Sequence, residues 1–303
     1  MTRALVIGYG SIGQRHARVL RELGCQVGVV SRRELAEEDC FGTIAQGVAV
    51  MSPDYVVIAN ETSSHRTAVE EVRAAGFKGA LLVEKPLGAG PSIAAGVFAT
   101  AAIGYNLRFH PVIMALAAEL AAERIITAEI YCGQYLPDWR PGSDYRRGYS
   151  ADPTRGGGVL RDLSHELDYL LWLAGPWRRV VALGGRLSRL EIASDDCWAM
   201  LVELENCPLA TVQINYLDRP GRRCITINTA DHTYCADLSQ AVLVRDGEAR
   251  AFVVGRDDTY RAQHRAMLAG DTARLCSIAE AEEVMQLIDA AERSARQGSW
   301  VVA

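Results

Sequence analysis

The chain has 303 residues, 49% hydrophobic and 23% charged, with 32 Lys and Arg against 37 Asp and Glu for a net charge of −5. That length exceeds one small core and implies two domains, and the balance is that of a soluble globular protein. The negative net charge argues against nucleic acid as a partner and leaves small anionic ligands open. No apolar stretch reaches the ~20 residues that span a bilayer. The 8 cysteines form no C-x-x-C pair and no metal-ligand spacing with the 6 histidines. No metal is therefore expected, and the thiols read as reduced in a cytoplasmic protein. The start, MTRALVIGYG, enters a strand at once and leaves no room for a signal peptide.

Residues 3–7, RALVI, are a short apolar strand. GYGSIG follows, with Gly8, Gly10 and Gly13 at G-x-G-x-x-G spacing, and then a helical run, QRHARVLREL. Between a strand and a helix the three glycines do different things. Gly8 makes the turn, Gly10 admits a pyrophosphate, and Gly13 lets helix and strand close up. The free N–H groups at the helix start, from Ser11 and Ile12 onward, complete a dinucleotide cradle. The next strand, QVGVV, ends at Ser31-Arg32-Arg33, where an Asp or Glu would hold a ribose 2′-hydroxyl. A hydroxyl and two guanidiniums suit a 2′-phosphate, so NADP is the preferred cofactor and NAD the alternative. The competing reading is a solvated loop with Glu34 as a displaced acidic partner.

DYVVIAN and KGALLVE continue the strand–helix alternation, which implies a doubly wound parallel sheet with its ligands at the carboxyl strand ends. Asn60, Thr62, Ser64 and His65 lie at one such end, with Asn60, Thr62 and His65 expected on the cofactor and His65 reading as a helix-start or supporting residue rather than a catalyst. Glu84, Lys85 and Pro86 lie at another. A boundary falls near residue 103, giving a dinucleotide-binding domain at 1–103 and a second α/β domain at 104–303. RIITAEIYCGQYL and the stretches 197–216 and 222–254 read as strands of a large open sheet. The loop QYLPDWRPGSDYRRGYS offers Trp139, Arg140 and Tyr145, and with Arg108 and Arg155 it suits a sugar bearing phosphate, nucleotide or carboxylate. The bland alternative is an exposed loop whose arginines pair with Asp138 and Asp144. In GGGVLRDLSHELDYLLWL, a 100° step puts Asp162, His165, Glu166 and Tyr169 on one side of a helix and the leucines on the other.

Taken together, VIGYGSIGQRHARVL, VVIANETSSH, LLVEKPLG, GYNLRFHP and GGGVLRDLSHELDYLLWL resemble the glucose–fructose oxidoreductase, inositol dehydrogenase and MocA (Gfo/Idh/MocA) family over nearly the whole chain. The resemblance implies a Rossmann domain followed by an α/β domain with a large open, mostly antiparallel sheet. It implies homo-oligomers, dimer or tetramer, built through that sheet, and a last helix that returns to the Rossmann domain. It also implies hydride transfer between NAD(P) and a carbinol or ketone of a sugar or sugar derivative. Lys85 then takes the position that approaches the reacting oxygen, and Glu84 the position near the nicotinamide ribose, with a cis Lys85–Pro86 bond in keeping.

Removing a carbinol hydride requires a base for the hydroxyl proton, and His165 needs little tuning to serve as one. His165 is read as the proton shuttle, Lys85 as the group polarising the oxygen or sharing the proton, and Asp162 as orienting the imidazole or binding a neighbouring hydroxyl. Tyr169 joins the substrate set. The family pattern spaces the aspartate and histidine by four with a glycine between, whereas DLSH spaces them by three with Ser164 between. Two other readings stay open: a closed hydride cycle, as in an epimerase, dehydratase or glycosidase-like enzyme, and a silent NADP(H)-sensing binding protein.

Overall fold

The computed structural model describes residues 1–33, 39–88, 90, 93, 95–140 and 142–303, so Glu34 lies outside the described residues. Contacts divide the chain into two compact units, Met1–Phe109 with Arg256–Glu282, and His110–Gly255 with Glu283–Ala303. The first unit begins with β1 (Arg3–Ile7), α1 (Ser11–Glu22), β2 (Gln26–Val30), β3 (Cys40–Phe41), α2 (Ile44–Met51), β4 (Tyr55–Ile58), α3 (His65–Ala74), β5 (Ala80–Val83) and β6 (Thr100–Ile103). The second contains α4 (Pro111–Leu120), β7 (Ile125–Gly133), α5 (Val159–Asp162), α6 (His165–Ala174), β8 (Trp177–Gly185), β9 (Cys197–Leu204), β10 (Leu209–Asn215), β11 (Arg222–Thr229), β12 (Thr233–Asp237), β13 (Val242–Arg245) and β14 (Glu248–Ala251). Last come α7 (Asp258–Ala269), α8 (Ile278–Gln297) and β15 (Val301–Val302).

The first sheet is parallel throughout, in the order β3-β2-β1-β4-β5-β6. This is the doubly wound order, and its reversal between β1 and β4 opens a ligand crevice at the carboxyl ends. The central strands read as unbroken apolar runs because a sheet covered on both faces gives them no wet side: Leu5, Val6, Val56, Val57, Leu81 and Leu82 are all 0% exposed. Strands β3 and β6 escaped the sequence reading, the first having only 2 residues and the second the weak pattern TAAI.

The sequence division at 103/104 and the division by contacts differ. Contacts carry the first unit on to Phe109 and return Arg256–Glu282 to it. The return has a physical cause in α7, whose Ala266 and Met267 enter the apolar core with Val6, Leu20 and Tyr55. Asn106 Nδ2–H also donates to Thr259 Oγ1 at 2.7 Å. Strand–helix alternation has no way to announce such a non-local return.

The second sheet has nine strands in the order β14-β13-β12-β11-β7-β10-β9-β8-β15, antiparallel except for the β7–β10 pair. One face is buried, through Met200, Val202, Val212 and Ile214, and the other leaves Leu183 75% and Leu201 40% exposed. The single amphipathic helix expected over 159–171 is two helices. α5 ends at Asp162, Leu163 departs from helical geometry with ψ 32°, and α6 starts afresh at His165. Nor does α6 have a wet polar side, since Glu166, Asp168 and Tyr169 are as buried as its leucines. The charge is tolerated because Arg223 Nε–H donates to Glu166 Oε1 at 2.7 Å and the Tyr169 hydroxyl donates to the same oxygen at 3.3 Å.

His110 caps α4, its Nδ1 accepting from the Val112 N–H at 3.3 Å. Burial, and then the Arg223 charge, lower its pKa from 6.5 to about 4. The unfolded chain therefore takes up this proton first as pH falls. The associated stability is complete above about 6.5 and is lost between there and about 4. That displacement corresponds to about 3 kcal/mol. His110→Asn keeps a capping acceptor without titrating, so urea unfolding at pH 7 and pH 4 is expected to show a smaller acid loss in the variant, by up to about that amount. Equal losses in the two proteins would refute the assignment.

Candidate active site

The cradle at the end of β1 fits a dinucleotide. Gly8 has φ +93°, and a Cβ on it would lie 2.7 Å from the Asn60 nitrogen. A Cβ on Gly13 would lie 2.0 Å from the Gly8 carbonyl oxygen, so helix and turn touch backbone to backbone. Gly10 differs, because a Cβ there would meet nothing within 4 Å. Its bareness serves no packing need and leaves an open side at the helix start. No side chain caps α1, no acidic residue stands in its first turn, and the first helical bond runs from the Gln14 N–H to the Gly10 oxygen at 2.9 Å. The N–H groups of Ser11 and Ile12 and the positive helix end face that opening, as a pyrophosphate requires.

Around the cradle, Ser31 Oγ accepts from the Arg33 N–H at 3.0 Å, and Arg32 and Arg33 are exposed. Asn60 follows β4 with its Oδ1 buried and without a partner. Thr62 is buried, its carbonyl packed where a Cβ on Gly88 would come within 2.7 Å. His65, expected on the cofactor, is 1% exposed instead. Its Nδ1 lies 2.9 Å from the Pro86 carbonyl oxygen and its Nε2 lies 3.2 Å from that of Asn60. Burial depresses its pKa, and the single N–H of a neutral ring serves the nearer carbonyl, that of Pro86.

The Lys85–Pro86 bond is cis. Glu84 is 8% exposed, and its Oε2 accepts from the Lys85 backbone N–H at 3.2 Å. Its Oε1 faces His16 Nε2 at 2.8 Å. Burial pushes the Glu84 pKa up, but the His16 hydrogen bond and the nearby Lys85 charge outweigh it, and the net direction is downward. Sequence reasoning assigned Glu84 to the cofactor and missed its buried partner His16 and, behind it, His264 and Tyr55. One signal was available for His16, which follows Gly13 by three on the α1 face that also carries Ala17 and Leu20. His264 had none, because only the fold brings α7 to this place.

In the second unit the Tyr149 hydroxyl donates to Asp162 Oδ1, and the Tyr216 hydroxyl donates to Oδ2 at 2.6 Å. Both oxygens therefore take phenolic donors that the sequence did not reveal. His165 opens α6 and is 9% exposed. Gly158, at φ +120°, admits Asp195, whose Oδ2 accepts from the Leu160 N–H at 2.9 Å and so caps the start of α5. The glycine run before Asp162 thus serves a carboxylate of the same unit.

A cavity of about 350 Å³ is lined by Trp139, Arg140, Tyr145 and Arg147, among others. The Trp139 Nε1–H is buried without a partner among the described residues, while its ring meets Tyr216 edge-on at 5.2 Å. Arg146 is taken by Asp144 at 2.8 Å, as the bland reading of this loop anticipated. Arg155 is half-buried at the end of a short turn over Pro153–Arg155 and is not among the residues that line this cavity. Two members of the expected substrate set belong elsewhere. Arg108 is 2% exposed in the first unit and donates to Glu280 Oε1 at 2.7 Å. Tyr169 is 0% exposed beside Glu166 and Arg223. Charge and aromaticity pointed to a ligand in both, and burial in the core answers them instead.

A parallel sheet in this order, with an uncapped helix start and an open glycine at its switch point, is a dinucleotide-binding fold. Residues 2–103 match the model of an oxidoreductase family with an NAD-binding Rossmann fold, and residues 115–235 match the GFO/IDH/MocA C-terminal domain. The chain belongs to the Gfo/Idh/MocA family. No match is found among curated proteins. Of solved structures, GenD2 from gentamicin A biosynthesis, in complex with NAD, is 23% identical with a TM-score of 0.80, over 100% of this chain and 96% of that one. UDP-N-acetylglucosamine 3-dehydrogenase GnnA from Acidithiobacillus ferrooxidans is 22% identical with a TM-score of 0.78, over 97% and 98% of the two chains. Levoglucosan dehydrogenase in complex with NADH is 16% identical with a TM-score of 0.84, over 99% and 98%. At these identities the likeness is one of fold.

The two glycines separate binding from packing. Gly10→Ala is expected to leave the thermal midpoint unchanged and to weaken NAD(P)H binding about tenfold or more, about 1.4 kcal/mol, by fluorescence titration. Gly13→Ala should lower the midpoint outright. The reverse pattern would remove Gly10 from the cofactor site.

Proposed function

We propose that the chain transfers a hydride between NADP(H) and a carbinol or ketone of a sugar derivative carrying an anionic group. The observation that carries this reading is the Glu84–Lys85–Pro86 corner at the end of β5. It is held from one side by His16 on Glu84, from another by His65 on the Pro86 carbonyl, and from within by Glu84 on the Lys85 N–H. So heavily braced a corner is suited to presenting an amine in a fixed place. The dinucleotide, when bound, supplies or accepts the hydride. Lys85 polarises the reacting oxygen or shares its proton, His165 carries that proton, and Asp162, held by Tyr149 and Tyr216, orients the imidazole or binds a neighbouring hydroxyl. In the oxidative direction the C–H electron pair leaves as hydride and the O–H proton goes to the base, so the balance needs no further reactant.

The exposed Arg32 and Arg33, with no acidic side chain among their described partners, support NADP over NAD. The cavity with Arg140, Arg147, Trp139 and Tyr145 supports a phosphorylated, nucleotide-linked or acidic sugar, since guanidiniums grip such groups while aromatic faces cover sugar C–H surfaces. The sugar-directed names of two of the solved neighbours point the same way. The apolar outer face of the second sheet, with Leu183 and Leu201, favours a homo-oligomer; sedimentation as a monomer would refute that. No disulfide joins any of the eight cysteines, in keeping with a cytoplasmic protein.

The assay is reduced-nicotinamide absorbance with NADP or NAD and a panel of free, phosphorylated and nucleotide-linked sugars. Lys85→Ala is expected to lower kcat by about 10²–10⁴-fold while NADPH still binds. Near-parental turnover would refute its role. Arg32→Ala should weaken NADPH by about tenfold or more and NADH little, about 1.4 kcal/mol of discrimination. Equal effects would refute the NADP preference. Silence of the parent across the panel with tightly held cofactor would favour a closed hydride cycle.

A further inference from the structure

Four buried side chains of the first unit stand in a row, of which the proposed chemistry uses only the His16–Glu84 end. Tyr55 Oη lies 2.9 Å from His264 Nδ1, His264 Nε2 lies 2.9 Å from His16 Nδ1, and His16 Nε2 lies 2.8 Å from Glu84 Oε1. Tyr55 is 1% exposed, His16 and His264 are 0%, and Glu84 is 8%. The row joins β4, α7, α1 and the end of β5, elements distant in sequence. Two rings with two nitrogens each could carry their protons in several ways, and the geometry admits few of them.

We infer that the row is a one-way donor chain, Tyr55 to His264 to His16 to Glu84, which holds the Glu84 carboxylate ionised and oriented, making His16 and His264 positioning residues for the Glu84–Lys85 corner. The argument is one of counting protons. If both rings are neutral with the proton on Nε2, the Tyr55 hydroxyl donates to His264 Nδ1, the His264 Nε2–H to His16 Nδ1, and the His16 Nε2–H to Glu84. Every donor then has one acceptor, and every acceptor nitrogen has one donor. If the chain is reversed, or if His16 is an imidazolium, His264 must present an N–H to the Tyr55 oxygen. The Tyr55 hydroxyl proton is then buried without an acceptor among the described residues, which native interiors avoid. Burial, with the neighbouring His16, drives the His264 pKa well down, in agreement with a neutral ring.

On the other side of the carboxylate, a Cβ on Gly104 would lie 2.9 Å from Glu84 Oε1, so that wall is backbone and cannot yield. The carboxylate is thus fixed by His16 Nε2–H, the Lys85 N–H and the Gly104 wall. A residue so fixed, next in the chain to Lys85, sets where Lys85 begins. The catalytic meaning of the chain rests on the proposed role of Lys85; its proton arrangement does not.

The test has two arms. Imidazole ¹⁵N NMR on histidine-labelled holoprotein, with His16 and His264 assigned through single variants, is expected to show both rings neutral and protonated on Nε2. A doubly protonated His16, or an Nδ1–H on either ring, overturns the inference without touching Lys85. In the second arm, His264→Leu removes the donor to His16, whereas His264→Gln can both accept from Tyr55 and donate to His16. The Leu variant should lose about 10- to 100-fold in kcat with cofactor KM within a few-fold, and the Gln variant should regain most of it. Equal loss in both variants, tracking their thermal midpoints, reduces the row to packing and overturns the positioning role. Parental turnover in Lys85→Ala would end the catalytic reading, leaving the proton arrangement to stand or fall on the NMR.

Discussion

A carboxylate kept ionised inside a protein is the constraint on which the first unit turns. Glu84 comes at the end of a strand whose Leu81 and Leu82 are wholly buried, so it starts from an interior position. Burial alone would protonate it. Two donors and the nearby Lys85 charge reverse that direction. Supplying one of those donors recruits α1, and keeping that donor in the right tautomer recruits α7 and β4. The packing of four distant segments thus converges on one oxygen atom.

The same economy of buried charge shapes the second unit. Glu166 is tolerated at 0% exposure because Arg223 and Tyr169 meet one of its oxygens. Asp162 is met on each oxygen by a tyrosine hydroxyl. Breaking such pairs leaves an uncompensated interior charge, which costs far more than a surface ion pair contributes. These groups bracket the break between α5 and α6, where His165 begins a helix of its own. The shortened spacing between Asp162 and His165 therefore falls at a helix junction. The usual argument from a shared helical face does not apply there.

Each unit separates a rigid scaffold from a few places left open. In the first, Gly10 meets nothing while Gly8 and Gly13 are hemmed in by backbone. In the second, the arginine-bearing cavity stands open while Asp162 takes a tyrosine hydroxyl on each oxygen. Catalysis by hydride transfer gains from this division. Little covalent chemistry falls to the protein, and most of its contribution is the placement of a few polar atoms.

The parallel sheet, the dinucleotide cradle and the family were all legible in the chain of letters, because strand–helix alternation and the glycine spacing are local patterns with local causes. So was the place of the Glu84–Lys85–Pro86 triplet, at the end of β5. The return of α7 to the first unit, the break at Leu163, and the partners of Glu84, Asp162 and Glu166 were not. Charge and aromaticity placed Arg108, His65 and Tyr169 at ligands, whereas the fold buries them against Glu280, the Pro86 carbonyl and Glu166. The reason is the same in every case. Whether a polar side chain meets a ligand or another side chain depends on what lies across from it, and those partners stand up to 248 residues away in the chain, as His264 does from His16. They meet through the folding of the whole chain, which no local pattern encodes.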